Sequence, residues 1–157
     1  MSENQDHRED SDCDCAICRE GMETYRAWEA EAMAKHGWLR HYVGDDPDSP
    51  SGINHHTHGL LASFGHPDIQ IVGKLTQEKS AAVMVAVVNR IKEGEKFKAG
   101  DVLEGILRDA YLIKLVDAVE NGRPVLRLIF PDPQNQVDRD KMTEPWMSDQ
   151  YGDLAEV

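Results

Sequence analysis

AYLIKLVDAVENGRPVLRLIF, residues 110 to 130, carries two apolar runs on either side of Asn121-Gly122. Asn-Gly readily adopts the positive φ angles of a two-residue hairpin turn, so the stretch predicts two antiparallel strands joined by a tight turn. Pro124 has no amide hydrogen to donate, which places it at the start of its strand or on an edge. Downstream, Pro131-Asp132-Pro133 ends the second strand and the chain turns polar and irregular, with Pro145-Trp146 as a point of reattachment.

Upstream of the hairpin, DVLEGILRD predicts a short helical turn, and EGEKFKAGD a turn-rich connection. Thr76 is placed to cap a helix running to about Glu93, with Gly94 supplying the left-handed stop. The run AAVMVAVV inside it is apolar on every side, which predicts either a largely buried helix or a strand; length and caps favour the helix. Before it, Ile69 to Val72 reads as a strand, Phe64 to Asp68 as a turn and Ile53 to Leu61 as another strand. GDDPDSPSG is a solvent loop, and Trp38 to Val43 a short strand. From Met22 to Lys35, Met22, Tyr25, Trp28 and Ala32 fall at helical spacing, and Gly37 ends the helix. Two main helices, several strands and no βαβ alternation give an α+β domain around a mainly antiparallel sheet.

The 157 residues suffice for one core and would leave two cores undersized. The expected organisation is an acidic tail over residues 1 to 12, a cysteine-rich leader over 13 to 21, one domain over 22 to 147 and a short tail over 148 to 157. No window approaches the roughly 18 uninterrupted apolar residues of a membrane span. The amino terminus has neither a basic region nor an apolar one, so the cytoplasm is the expected location. With 29 Asp plus Glu against 17 Lys plus Arg, the net charge of -12 would repel a phosphate backbone, which argues against nucleic acid as a partner. A protein partner and a homo-oligomer are compatible with everything in the sequence.

The three cysteines, Cys13, Cys15 and Cys18, fall within six consecutive residues. An odd number packed this closely cannot be a disulfide framework. Cys15 and Cys18 have the gap that presents two thiolates to one tetrahedral zinc ion, and Cys13 is a candidate third ligand. Two alternatives stay open: reduced thiols on a flexible arm, and a redox pair. Asp12 and Asp14 weigh against the redox pair, because nearby anions raise a thiol pKa.

Four of the seven histidines lie in GINHHTHGLLASFGHP, residues 52 to 67. On a strand, His56 and His58 project to one side while His55 and Thr57 project to the other. Two imidazoles two residues apart can chelate one ion, and His66 in the following turn can approach from a neighbouring segment. The candidate ligand set is therefore Cys13, Cys15, Cys18, His56, His58 and His66, with Zn2+ as the ion. The plainer alternative is a half-buried strand whose histidines hydrogen-bond locally. His36 suits the last turn of a helix, where the dipole favours a cation, and His41 reads as a surface residue of its strand. No HExxH, GxSxG, Walker A or GxGxxG pattern occurs.

Several short motifs follow one another in a recognisable order: His36-Gly37-Trp38, Thr57-His58-Gly59-Leu60, Phe64-Gly65-His66-Pro67-Asp68 and Ile71-Val72-Gly73. Gly94, Phe97, Gly100, Val125 to Phe130 with Pro131-Asp132, and Pro145-Trp146 continue it. Over about residues 34 to 147 the chain resembles the bacterial family called domain of unknown function 4262, and the CDCAICR leader is similar to one found in some members. The resemblance implies no activity. Where the family pattern is apolar or aromatic around its Thr, this chain has Asn54, His55, His56 and His58. The functional expectation is a bacterial or phage metal-binding module, non-enzymatic, acting in interaction or regulation. A small metal-dependent hydrolase using the histidines is the alternative.

Overall fold

The computed structural model describes residues 21–43, 53–73, 75–142 and 149–151. Cα proximity divides the chain into two compact units, Met1–Leu39 and Arg40–Val157. The described part of the first is built on helix α1, Met22–His36. Gly37 ends it in the left-handed region at φ 80°, and its amide donates to the Met33 carbonyl, as its position in the sequence predicts. Tyr25 and Trp28, one turn apart, set their rings 5.8 Å from each other.

Beyond α1 the order is β1 (Leu39–Val43), β2 (Ile53–His58), α2 (Leu60–Phe64), β3 (Ile69–Gly73), α3 (Gln77–Lys92), β4 (Val102–Leu103), β5 (Ile113–Glu120) and β6 (Arg123–Ile129). The six strands form one sheet in the order β1-β2-β3-β6-β5-β4. β2 and β3, β6 and β5, and β5 and β4 pair antiparallel, while β3 and β6 run parallel. The α+β class and the mainly antiparallel sheet are as expected. The parallel pair is new, and it exists because α3, β4 and β5 together form the crossover between its strands.

The hairpin forms where Asn-Gly directs it, with Asn121 at φ 49° and Gly122 at φ 83°. Pro124 lies opposite Val119 at the start of β6. Pairing of β6 with β3 begins only at Leu126, opposite Ile69. Residues 123 to 125 therefore run past the start of β3, and the ring of Pro124 removes no hydrogen bond from that ladder. The tip of the hairpin is left beside the end of β2.

The structure departs from the sequence reading in three places. The strand expected to reach Leu61 stops at His58, because Gly59 at φ 100° turns the chain into the short helix α2. Gly65, at φ 66°, ends that helix. Helix α3 begins where Thr76 caps it, its Oγ1 accepting from the Lys79 amide at 3.2 Å. It is covered on one side only: Ser80, Val83, Met84, Val87, Val88 and Ile91 are buried, whereas Val85 is exposed. The segment expected to form one helical turn instead holds β4 and a 3-10 turn at Arg108–Ala110. The irregular path after Pro133 is held by Asp132, whose carboxylate accepts from the amides of Gln134 and Gln136. Pro145-Trp146 and the solvent loop before β2 lie outside the described residues. No helix among the described residues is long and apolar enough to cross a membrane.

Candidate metal centre

Strand alternation gives β2 two different faces. Ile53, His55 and Thr57 turn toward α3, where Nδ1 of His55 and Oγ of Ser80 are hydrogen-bonded at 2.7 Å. Asn54, His56 and His58 turn to the opposite face. Adjacent strands add side chains to that face in register. His56 is opposite Gln70 on β3, and Gln70 is opposite Arg127 on β6. All three are buried. β1 contributes His41 to this face and Tyr42 to the other, where the Tyr42 ring meets His55 edge-on at 5.1 Å.

His41, His56 and His58 form one cluster. Their ring centroids are 4.5 Å apart for His41 and His58, 5.0 Å for His56 and His58, and 5.5 Å for His41 and His56. One nitrogen from each ring can be chosen so that the three lie within 4.8 Å of one another. This group could hold a metal ion.

A chain of hydrogen bonds starting at an arginine fixes the form of His56. The Arg127 guanidinium can only donate, and its Nε gives a 2.8 Å bond to Gln70 Oε1. Gln70 Nε2 then donates to Asn54 Oδ1 at 3.1 Å. Since Asn54 presents an oxygen, His56 Nδ1, also 3.1 Å from it, must carry the proton. In the neutral ring the lone pair then lies on Nε2, which is 3.5 Å from Glu120 Oε1. Such outer partners commonly orient a metal-binding imidazole.

Burial favours the unprotonated form of two of these rings, His56 and His58. His56 is lowered to about 4 by desolvation, against the opposing pull of Glu120. His58 is lowered by desolvation, then by the positive charge of Arg123 and by His41. Neutral imidazole is the form that ligates metals. Nε2 of His58 is buried and has no hydrogen-bond partner, a costly condition for a polar atom and one that a bound cation would relieve.

An ion network borders the cluster at the hairpin tip. Arg123 donates to Glu120 Oε2 at 2.8 Å, Asp68 Oδ2 at 2.7 Å and the Thr57 carbonyl at 2.6 Å. Asp68 Oδ1 accepts from the Thr57 hydroxyl at 2.8 Å and the Leu60 amide at 3.1 Å. Thr57 Oγ1 in turn accepts from the Ile69 amide. The Thr57-His58-Gly59-Leu60 and Phe64-Gly65-His66-Pro67-Asp68 motifs are thus tied together through Thr57 and Asp68.

Of the six ligands expected from sequence, the structure brings His56 and His58 together. His66 is outside the three-histidine group and both its ring nitrogens are engaged: Nδ1–H donates to the Pro67 carbonyl at 2.7 Å, and Nε2 accepts from the Phe97 amide at 3.1 Å. Its ring packs on Phe97 at 5.8 Å. Cys13, Cys15 and Cys18 lie outside the described residues. His41 joins the cluster although its position in the sequence suggested only a surface residue. The signal available was its place in a strand of alternating character, but which strand lies beside β2 is not written locally.

A family model described as Domain of unknown function (DUF4262) matches residues 32–137, more than half of the chain. No curated protein and no solved structure matches.

Proposed function

The chain belongs to the DUF4262 family, whose description states no activity, and from the geometry we propose that it is a non-enzymatic metal-binding module for interaction or regulation, with Zn2+ held by His41, His56 and His58. One observation carries the reading. Three imidazoles converge, and one of them, His58, has a buried Nε2 with no partner. Three nitrogen donors suit zinc, and copper or nickel bind such sets as well. Zinc–nitrogen bonds of about 2.0–2.1 Å bring tetrahedral ligands closer together than the 4.8 Å spread of these atoms, so ligation draws the rings inward by side-chain rotation. The cysteines of the leader are not needed for this set.

The test is zinc uptake by protein purified without a polyhistidine tag and stripped with a chelator. About one equivalent should bind. Unfolding should shift upward, by about 2.7 kcal/mol at a free zinc concentration 100 times the dissociation constant. Less than about a tenth of an equivalent, for a site whose folded state is meant to bind metal, would sink the proposal. A second reading, a small metal-dependent hydrolase, is favoured by the number of donors: three protein ligands and an open position are what catalytic zinc sites offer. The two readings differ in what occupies the fourth position.

A further inference from the structure

Glu120 ends β5 on the hairpin turn, and its carboxylate is nearly buried. Its two oxygens have different surroundings. Oε2 accepts from Arg123 at 2.8 Å, while Oε1 lies 3.5 Å from His56 Nε2. The hydrogen-bond chain from Arg127 through Gln70 and Asn54 puts the His56 proton on Nδ1, so Oε1 faces a lone pair. A contact between these two atoms is relieved by a proton or by a metal ion that takes both as ligands, and the geometry suits the latter. The separation also matches the roughly 3.4 Å edge of a tetrahedron built with zinc–nitrogen and zinc–oxygen bonds of about 2.0–2.2 Å.

We infer that Glu120 Oε1 is the fourth protein donor of the His41, His56 and His58 centre, so that the bound ion ties the tip of the β5–β6 hairpin to β1 and β2. This inference rests on the metal reading proposed above. It adds closure: four protein donors leave no position for a reactive water, as in a structural site. It also adds a regulatory consequence. Residues 123 to 125 run past the start of β3, so no β3 strand pairing secures the tip. Arg123 holds it through Asp68 and the Thr57 carbonyl, and the ion becomes a second fastening whose presence depends on metal supply. Arg123 keeps Oε2 engaged, which aims Oε1 at His56.

Glu120→Gln and His58→Ala are compared with the wild-type protein by zinc titration and by amide exchange at Asn121, Gly122 and Arg123. Zinc should slow exchange at these amides in the wild type, and E120Q should lose this response and bind zinc about 10-fold or more weakly, as an amide oxygen is a poorer donor than a carboxylate. Wild-type affinity in E120Q, with H58A impaired, would overturn the assignment of Glu120 and leave the three-histidine centre standing. Undiminished zinc binding in H58A, or none in the wild type, would overturn the metal reading itself. A readout independent of variant folding is the side-chain carboxyl 13C resonance of Glu120 in the wild-type protein. It should move on zinc addition while those of exposed glutamates stay in place, and an unmoved resonance overturns the inference.

Discussion

His58 and His66 are eight residues apart in one motif-rich segment, and they use their rings in opposite ways. His66 has a donor and an acceptor within reach, the Phe97 amide and the Pro67 carbonyl, and it fastens a loop to the region after α3. His58 keeps Nε2 buried among other imidazoles with nothing bonded to it. The lesson is that a concentration of histidines does not define a site. The deciding property is whether an imidazole nitrogen remains available once the fold has used what it needs, and sequence spacing is blind to that.

The contrast can be broken by exchanging the two residues' expected phenotypes. The largest effect is expected from His58→Ala on metal binding. Zinc affinity by calorimetry should fall by more than about 100-fold, since even partners that only orient a ligand are worth about 10–100-fold. The metal-free fold should be nearly unaffected, within about 1 kcal/mol in urea unfolding, because the substitution removes an unsatisfied buried atom along with the ring. His66→Ala should do the reverse, costing about 2–4 kcal/mol of stability through two lost hydrogen bonds and a cavity against Phe97. Zinc affinity should stay at the wild-type value. Loss of zinc binding in a folded His66→Ala protein would place His66 in the centre and erase the distinction.

A smaller effect sharpens the account of His56. Asn54→Ala deletes the acceptor that keeps the proton on Nδ1, and zinc affinity should weaken by about 10-fold, the low end for an orienting partner. An unchanged affinity would mean that the ring needs no such guide. The smallest and broadest effect is on pH dependence in the metal-free protein. His55 and His56 are lowered from 6.5 to about 4 by burial. Their neutral forms are favoured in the fold, so the unfolded chain binds protons first as pH falls. Stability from this source is complete above about 6.5, declines between 6.5 and 4, and is gone below that. Urea midpoints across this range should fall with acid, and His55→Gln should flatten part of the slope.

Much of the fold is legible because its signals are local. Asn121-Gly122 encodes its own hairpin, Thr76 and Gly37 mark helix ends, and the two-residue period of β2 separates His56 and His58 from His55. The family resemblance is likewise carried by short ordered motifs and is confirmed by the match over residues 32–137. What escapes is set by distance along the chain. The parallel partnership of β3 with β6 joins strands more than fifty residues apart, and the adjacency of β1 and β2 brings in His41 from a separate stretch of the sequence. The dependence of His56 on Arg127 passes through Gln70 and Asn54, and no spacing rule links those four positions. α2 was hidden for another reason: Leu60 to Phe64 is apolar enough to continue a strand, and only the positive φ of Gly59 diverts it.

At the opposite rim of the sheet, β4 contributes just two pairs, Val102 with Lys114 and Leu103 with Ile113. A stray extended peptide docking there would find two rungs of backbone to grip, far below the length that sustains strand addition in aggregates. The brevity of that border thus works as a guard against sheet-to-sheet growth between molecules, at the edge of the sheet opposite β1 and its His41.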